Sequence, residues 1–177
     1  MAELVDAPDS KSGGRKVVWV RFPPLVQLDD RLGRGYGCGM QTFLPHQSFN
    51  MSARALDMRR LGKQRVETLQ ILKALHDPTY GWQHHPAVNM WRGHEQHLID
   101  YGLTICGEWT DRGYKDTCTA KIANMRSLFP HNTPAPWWLG NPNFHHSHRG
   151  VLYRKDPTHY APYATYQHLD YWWPTPE

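Results

Sequence analysis

From Met40 onward, apolar and polar positions recur with helical spacing, and no stretch alternates residue by residue as a half-buried strand would. Ser48 or Ser52 is placed to cap a helix running to about Leu75, where His76-Asp77-Pro78 stops it. At roughly 100° per residue, Met58, Leu61, Gly62, Leu69 and Leu72 gather on one face of this segment, while Arg59, Arg60, Lys63 and Glu67 gather on the other. The first face is the expected core side and the second the expected polar side. Arg65 breaks the pattern, because it falls inside the apolar arc where an unpaired guanidinium is expensive. It therefore needs a buried carboxylate, backbone carbonyls or a ligand phosphate.

A second helix is predicted from Pro86, a favourable first-turn residue, through Ala87-Val88-Asn89-Met90-Trp91 to Glu108-Trp109, ending near Gly113. A third is predicted over Asp116 to Leu128 and a fourth over Ser147 to Lys155, before Asp156-Pro157. Between them lies an aromatic, proline-rich loop, Pro134-Ala135-Pro136-Trp137-Trp138-Leu139-Gly140-Asn141-Pro142. No internal repeat is visible. The expected fold class is all-α, a single helical domain over residues 40–177 with long aromatic and proline-rich loops.

Residues 1–39 read differently: acidic residues, Gly, Ser and Pro are scattered without helical period and end in Gly33-Arg34-Gly35-Tyr36-Gly37-Cys38-Gly39. Ala2 to Ser12, followed by Val18-Trp19-Val20-Arg21-Phe22-Pro23, resembles a transfer-RNA gene read as protein. On that reading Met40 is the true start and residues 1–39 are a mistaken extension; the other reading is a tail with little stable structure. The chain has 177 residues, enough for one substantial core but not for two. A net charge of +4 and a pI near 9.0 permit a polyanionic partner without requiring one. Cys38, Cys106 and Cys118 lack paired metal-ligand spacing, which argues against a structural zinc site and a disulfide framework. No apolar run reaches the roughly 20 residues of a membrane span, so a cytoplasmic protein without a membrane partner is expected.

The densest chemistry lies in Arg59-Arg60-Leu61-Gly62-Lys63-Gln64-Arg65-Val66-Glu67. Four cationic groups on little more than two helical turns suit a phosphate backbone, and Glu67 is the only candidate acid or base among them. The same residues also suit a solvated helix face with i, i+4 ion pairs. The run His145-His146-Ser147-His148, with His84-His85 elsewhere, raises a metal-dependent nuclease as another reading, but no acidic cluster accompanies it. The tryptophans and Tyr153, Tyr160, Tyr163 and Tyr166 suit core or loop packing more than contact with a ligand.

The order of these segments resembles the pyrimidine-dimer DNA glycosylase family of the small phage endonuclease V type. The likeness rests on Arg60-Leu61 with Arg65-Val66-Glu67, on His85-Pro86-Ala87-Val88 through Leu98 to Cys106-Gly107-Glu108-Trp109-Thr110-Asp111-Arg112-Gly113, and on Ser147-His148-Arg149 through Lys155-Asp156-Pro157-Thr158-His159-Tyr160. It covers roughly residues 42 to 166 and is shared with a group of actinobacterial and phage proteins.

The resemblance implies a glycosylase with AP lyase activity on damaged double-stranded DNA, without metal or cofactor. In that chemistry the N-terminal amine, here on Met40, attacks the deoxyribose C1′ and forms a Schiff base. The family's catalytic glutamate falls on Glu67. Arg59, Arg60, Lys63, Arg65, His148, Arg149 and Tyr160 are then the expected DNA contacts, on a duplex whose lesion is flipped out. Val66 stands where the family has an arginine. Met40 is followed by Gln41, a bulky residue that opposes removal of the methionine, so the nucleophile would be Met40 itself. If the amine chemistry has been lost, a non-catalytic DNA-binding protein on the same scaffold is the alternative.

Overall fold

The computed structural model describes residues 40–174; the extension at 1–39, Cys38 included, lies outside the described residues. Six α-helices follow the entering segment: α1 (Phe49–Ala55), α2 (Met58–His76), α3 (Pro86–Trp91), α4 (Glu95–Asp111), α5 (Thr119–Asn124) and α6 (Pro142–Lys155). Two 3-10 turns, Met125–Leu128 and Ala161–Tyr166, follow α5 and α6. No strand occurs among the described residues, so the all-α expectation holds. Nor is any described helix long and apolar enough to cross a membrane.

The boundaries correct the sequence reading in four places, one being the helix expected from Asp116 to Leu128, which begins at Thr119 and gives way to the 3-10 turn at Met125. The helix expected from Ser48 to Leu75 is two helices. Ser48 caps α1, accepting from Met51 N, but Leu56 turns extended and Asp57 caps α2 by accepting from Arg59 N and Arg60 N. Tyr160 locks this break from outside: its hydroxyl donates to Asp57 Oδ2 at 2.6 Å and accepts from Asp57 N at 3.0 Å.

The long helix expected from Pro86 to Gly113 is interrupted at Arg92-Gly93-His94, where Gly93 adopts φ +82°, a conformation that L side chains rarely take. The last helix begins at Pro142 rather than Ser147, because Asn141 caps it by accepting from Asn143 N at 3.0 Å and Pro142 fills its first position.

In the core, α2 packs chiefly on α4, which also carries α1 and α5, and the turn at Ala161–Tyr166 packs on α6. Trp91, Trp138, Tyr101, Tyr160 and Phe144 are its largest fully buried members, with Leu61, Ile71, Leu72, Leu98 and Ile99 among the aliphatic ones. Met58 was expected on the core face but is half exposed, since it sits in the first turn ahead of the contact with α4. The need foreseen for Arg65 is met by Asp116, the carboxylate it pairs with, while its guanidinium lies 4.1 Å from the centre of the Trp109 ring.

The entering segment, Met40 to His46, is itself core material: Met40, Thr42, Phe43 and Leu44 are buried. Its backbone is held by side chains because no strand pairs with it. Phe43 N donates to Gln64 Oε1 at 3.0 Å, Leu44 N to His148 Nδ1 at 2.9 Å, and Thr42 O accepts from Tyr171 at 2.6 Å. These bonds deliver residue 40 to the buried face of α2.

Candidate active site around Glu67

Helix α2 buries Leu61, Gln64, Glu67, Thr68, Ile71, Leu72 and Ala74. Three of these are polar, and two of them, Gln64 and Glu67, lie three residues apart and are therefore stacked on one face. Gln64 has no exposed surface, and each of its two polar atoms has two partners within hydrogen-bond distance. Its carbonyl oxygen accepts from Phe43 N at 3.0 Å and lies 2.8 Å from the Tyr101 hydroxyl. Its amide nitrogen donates to Gln41 O at 2.9 Å and to Glu67 Oε2 at 2.6 Å. The single Tyr101 proton serves either Gln64 Oε1 or Phe43 O, 3.1 Å away. Gln64 thus fastens the entering segment to the helix and aims an N–H at the glutamate.

Glu67 is 3% exposed, so the sequence expectation of a solvated polar face is corrected at this residue. The helical stripe of Leu61, Thr68 and Ile71 carries Glu67 inward along with Gln64. Its Oε1 lies 3.1 Å from Lys63 Nζ and accepts from Gln41 N at 3.4 Å. Burial raises its carboxyl to about 7, against the opposing pull of the Lys63 ammonium, the Gln41 N–H and the Lys155 charge. A carboxyl poised there is ready both to give and to take a proton near neutrality. Lys63, whose side chain is 47% exposed, spans from the buried carboxylate to solvent. Lys155, at the end of α6, has its ammonium 5.9 Å from the centre of the Phe43 ring.

Met40, Lys63 and Glu67 are therefore brought together, and Arg59 lies exposed near the start of the same helix. The other residues expected to contact DNA have different surroundings. Arg60 pairs with Asp57 at 2.8 Å, donates to Lys155 O at 2.9 Å and lies near the Tyr160 ring, tying α2 to the end of α6. Arg65 is occupied by Asp116 and Trp109. Tyr160 is 2% exposed and His148 is completely buried, so neither offers a surface to a phosphate. Burial also pushes the His148 imidazole well below its usual range, which keeps it neutral. Arg149 is half-buried, its Nε donating to Pro45 O at 2.8 Å, and its guanidinium lies near Tyr163 and Tyr166.

Of the histidine run, His145 and His148 are committed to the scaffold. His145 Nδ1 lies 2.8 Å from Leu44 O and its Nε2 accepts from Gly140 N at 3.0 Å, which fixes the neutral Nδ1–H tautomer. Among the described residues no group of three or more His, Cys, Asp and Glu is arranged to hold a metal ion. Gln64, Tyr101, Tyr171 and Lys155 escaped the sequence reading. Only Gln64 carried a signal: a Gln-x-x-Glu pair in phase with Leu61, Thr68 and Ile71.

No curated protein and no solved structure matches the chain significantly. Residues 40–122 match the model of the family described as pyrimidine dimer DNA glycosylase, which supports a repair function of the glycosylase type and DNA as the substrate.

Proposed function

We propose that the domain excises a damaged base and then nicks the strand, with a terminal amine on Met40 as nucleophile and Glu67 as the acid and base. The observation that carries this reading is the contact between Gln41 N and Glu67 Oε1, which puts residue 40 one residue from a carboxyl of pKa about 7. An α-amine of pKa about 7.7 to 8.0 keeps a useful neutral fraction at neutral pH. Met40 is 6% exposed within the core, so the methionine that Gln41 causes to be retained already has a packed site.

The chemistry follows from these groups. The amine nitrogen attacks C1′ as the bond to the base breaks, and protonated Glu67 supplies the proton that leaves with the base. The Glu67 carboxylate takes one amine proton and returns it to O4′ as the C1′–O4′ bond breaks and the sugar ring opens, which leaves a protonated Schiff base and an ionised Glu67. The Glu67 carboxylate then removes a C2′ proton, and the 3′-phosphate departs by β-elimination. Lys63 stabilises the carboxylate in each ionised stage, and Arg59 lies on the exposed side of α2 to meet the backbone.

The test uses a chain beginning at Met40, duplex DNA with one abasic site, EDTA and borohydride. A covalent adduct mapping to residue 40 is expected, and none with residues 1–39 attached. Glu67→Gln should abolish it. An adduct on Lys63 would overturn the assigned nucleophile, and tight DNA binding without any adduct would leave a non-catalytic DNA-binding scaffold.

A further inference from the structure

Away from Glu67, a cavity of about 490 Å³ opens between the residues leading into α1 and the first half of α6. Its wall carries His46, Gln47, His145, His146 and Arg149, and none of its lining residues is acidic. Arg149 supplies the fixed positive charge. Its Nε is committed to Pro45 O, and its terminal nitrogens reach the Tyr166 hydroxyl at 3.4 Å and His46 Nδ1 at 3.3 Å. Each terminal nitrogen carries two N–H groups, so donors remain on the guanidinium beyond these contacts. The His146 ring stacks on Tyr166, 4.4 Å between centres and 17° between planes, which fixes its orientation by a face and leaves its ring nitrogens at the edge. Gln47 is exposed at the mouth. Met51, 56% exposed, gives the same wall an apolar edge.

We infer that this cavity is a subsite for a backbone phosphate of the DNA strand, held by Arg149, His146 and the Gln47 amide, with the neighbouring deoxyribose against Met51. The inference rests on DNA as the substrate but not on the amine chemistry. A phosphodiester fits the donor set because the wall offers N–H groups and one permanent cation without an opposing carboxylate. Burial and Arg149 together hold the imidazoles of His46 and His146 below their usual range, so the guanidinium is the dominant charge at neutral pH.

The spacing suits one duplex. Gln41, whose N–H reaches Glu67, and His46, on the cavity wall, are joined by extended chain that spans at most about 18 Å. That is about five base-pair steps at 3.4 Å each, so the two places are close enough for one duplex to meet both.

The test measures binding alone, on undamaged duplex DNA with the full chain, across a series of salt concentrations. Arg149→Gln should lower the slope of log affinity against log salt by about 1. Gln47→Glu, at an exposed position, should weaken binding about five- to tenfold at moderate salt, and Gln47→Lys should strengthen it; both should melt like the parent. Inorganic phosphate should shift the side-chain amide resonances of Gln47 and the amide of Gly140, and duplex DNA should suppress that shift. Unchanged affinity and slope in the Gln47 variants would overturn the subsite. So would a phosphate shift that DNA does not compete away, which would assign the cavity to free phosphate. Failure of the borohydride trap leaves these readouts untouched, so the two proposals fail separately.

Discussion

Replacing Glu67 by glutamine should raise stability while removing activity, and the gain should appear only where the carboxylate is ionised. The folded protein holds this carboxyl at about 7 against an ordinary 4.5. That difference corresponds to about 3 kcal/mol of folding free energy spent on keeping the buried group charged. The sign follows from proton counts. Between those two values the folded state binds the proton more tightly than the unfolded chain, so the Glu67 contribution to stability falls as pH rises from 4.5 through 7.

Glutamine removes this dependence at a fixed cost, because an N–H in place of an oxygen faces the Gln64 amide, the Gln41 N–H or the Lys63 ammonium, a loss of about 1 kcal/mol. The variant should therefore be about 1 kcal/mol less stable than the parent at pH 4.5 and about 2 kcal/mol more stable above pH 8. His46, His85, His145, His146 and His148 are all held below their usual range and give the parent an opposing slope. They are common to both proteins and cancel in the difference. Urea unfolding of the pair at half-unit steps from pH 4.5 to 8.5 reads this difference directly. Strand nicking on abasic duplex should fall by about 10²- to 10⁴-fold in the same variant. A difference in stability that stays flat across the range would show that the glutamate is not ionised at a cost, and the acid–base assignment would lose its basis.

The remaining predictions concern the frame around this site. Asp116 is drawn down to about 2, burial opposing and the bonds from Thr119, Arg65 and Cys118 N prevailing. Asp116→Asn should therefore leave the Arg65 charge unpaired and cost about 3 kcal/mol in urea unfolding above pH 5. His148, buried and neutral, should make the protein lose stability as pH falls below 6.5, because only the unfolded chain takes up that proton; His148→Asn should flatten this part of the pH curve. Gly150→Ala would place a Cβ 2.2 Å from Tyr166 O and 3.0 Å from Leu169 O, both backbone atoms, so about 3 kcal/mol or more should be lost in thermal unfolding. Burial, reinforced by the Asp116 charge, pushes the Cys106 thiol up to about 12, so iodoacetamide at pH 8 should label it only after unfolding.

What the sequence made legible depended on whether a residue's role was local. Ser48, the Asp77-Pro78 stop and Pro86 act on their own neighbours, and each lies at a helix end in the structure. Breaks set by distant partners were not readable. Nothing near Asp57 announces that Tyr160 will bond both its backbone and its carboxylate, and the covalent continuity of the apolar stripe ran straight through the interruption. Arg65 was legible as a problem, a charge inside an apolar arc, while its solution, Asp116, lay in the loop between α4 and α5. The expected phosphate contacts suffered most, because charge on a helix is counted in the sequence without its intramolecular partner. Arg60 and Arg65 are engaged by Asp57 and Asp116.

The buried pair Gln64 and Glu67 argues the converse point. A folding sequence gains nothing from an acid on the core side of α2 when its ionised form is costly and an apolar residue would pack there. Gln64 deepens the expense by needing four partners, and the chain supplies them from the segment that begins at residue 40, from Tyr101 and from Glu67 itself. The same bonds that satisfy the glutamine hold Gln41 against the glutamate, so the entering segment cannot leave its place without exposing unpaired polar groups in the core. Folding thereby positions the nitrogen of residue 40 relative to the carboxyl before any substrate arrives. Because the energetics of the helix alone run against a glutamate here, its presence supports the proposed acid–base role.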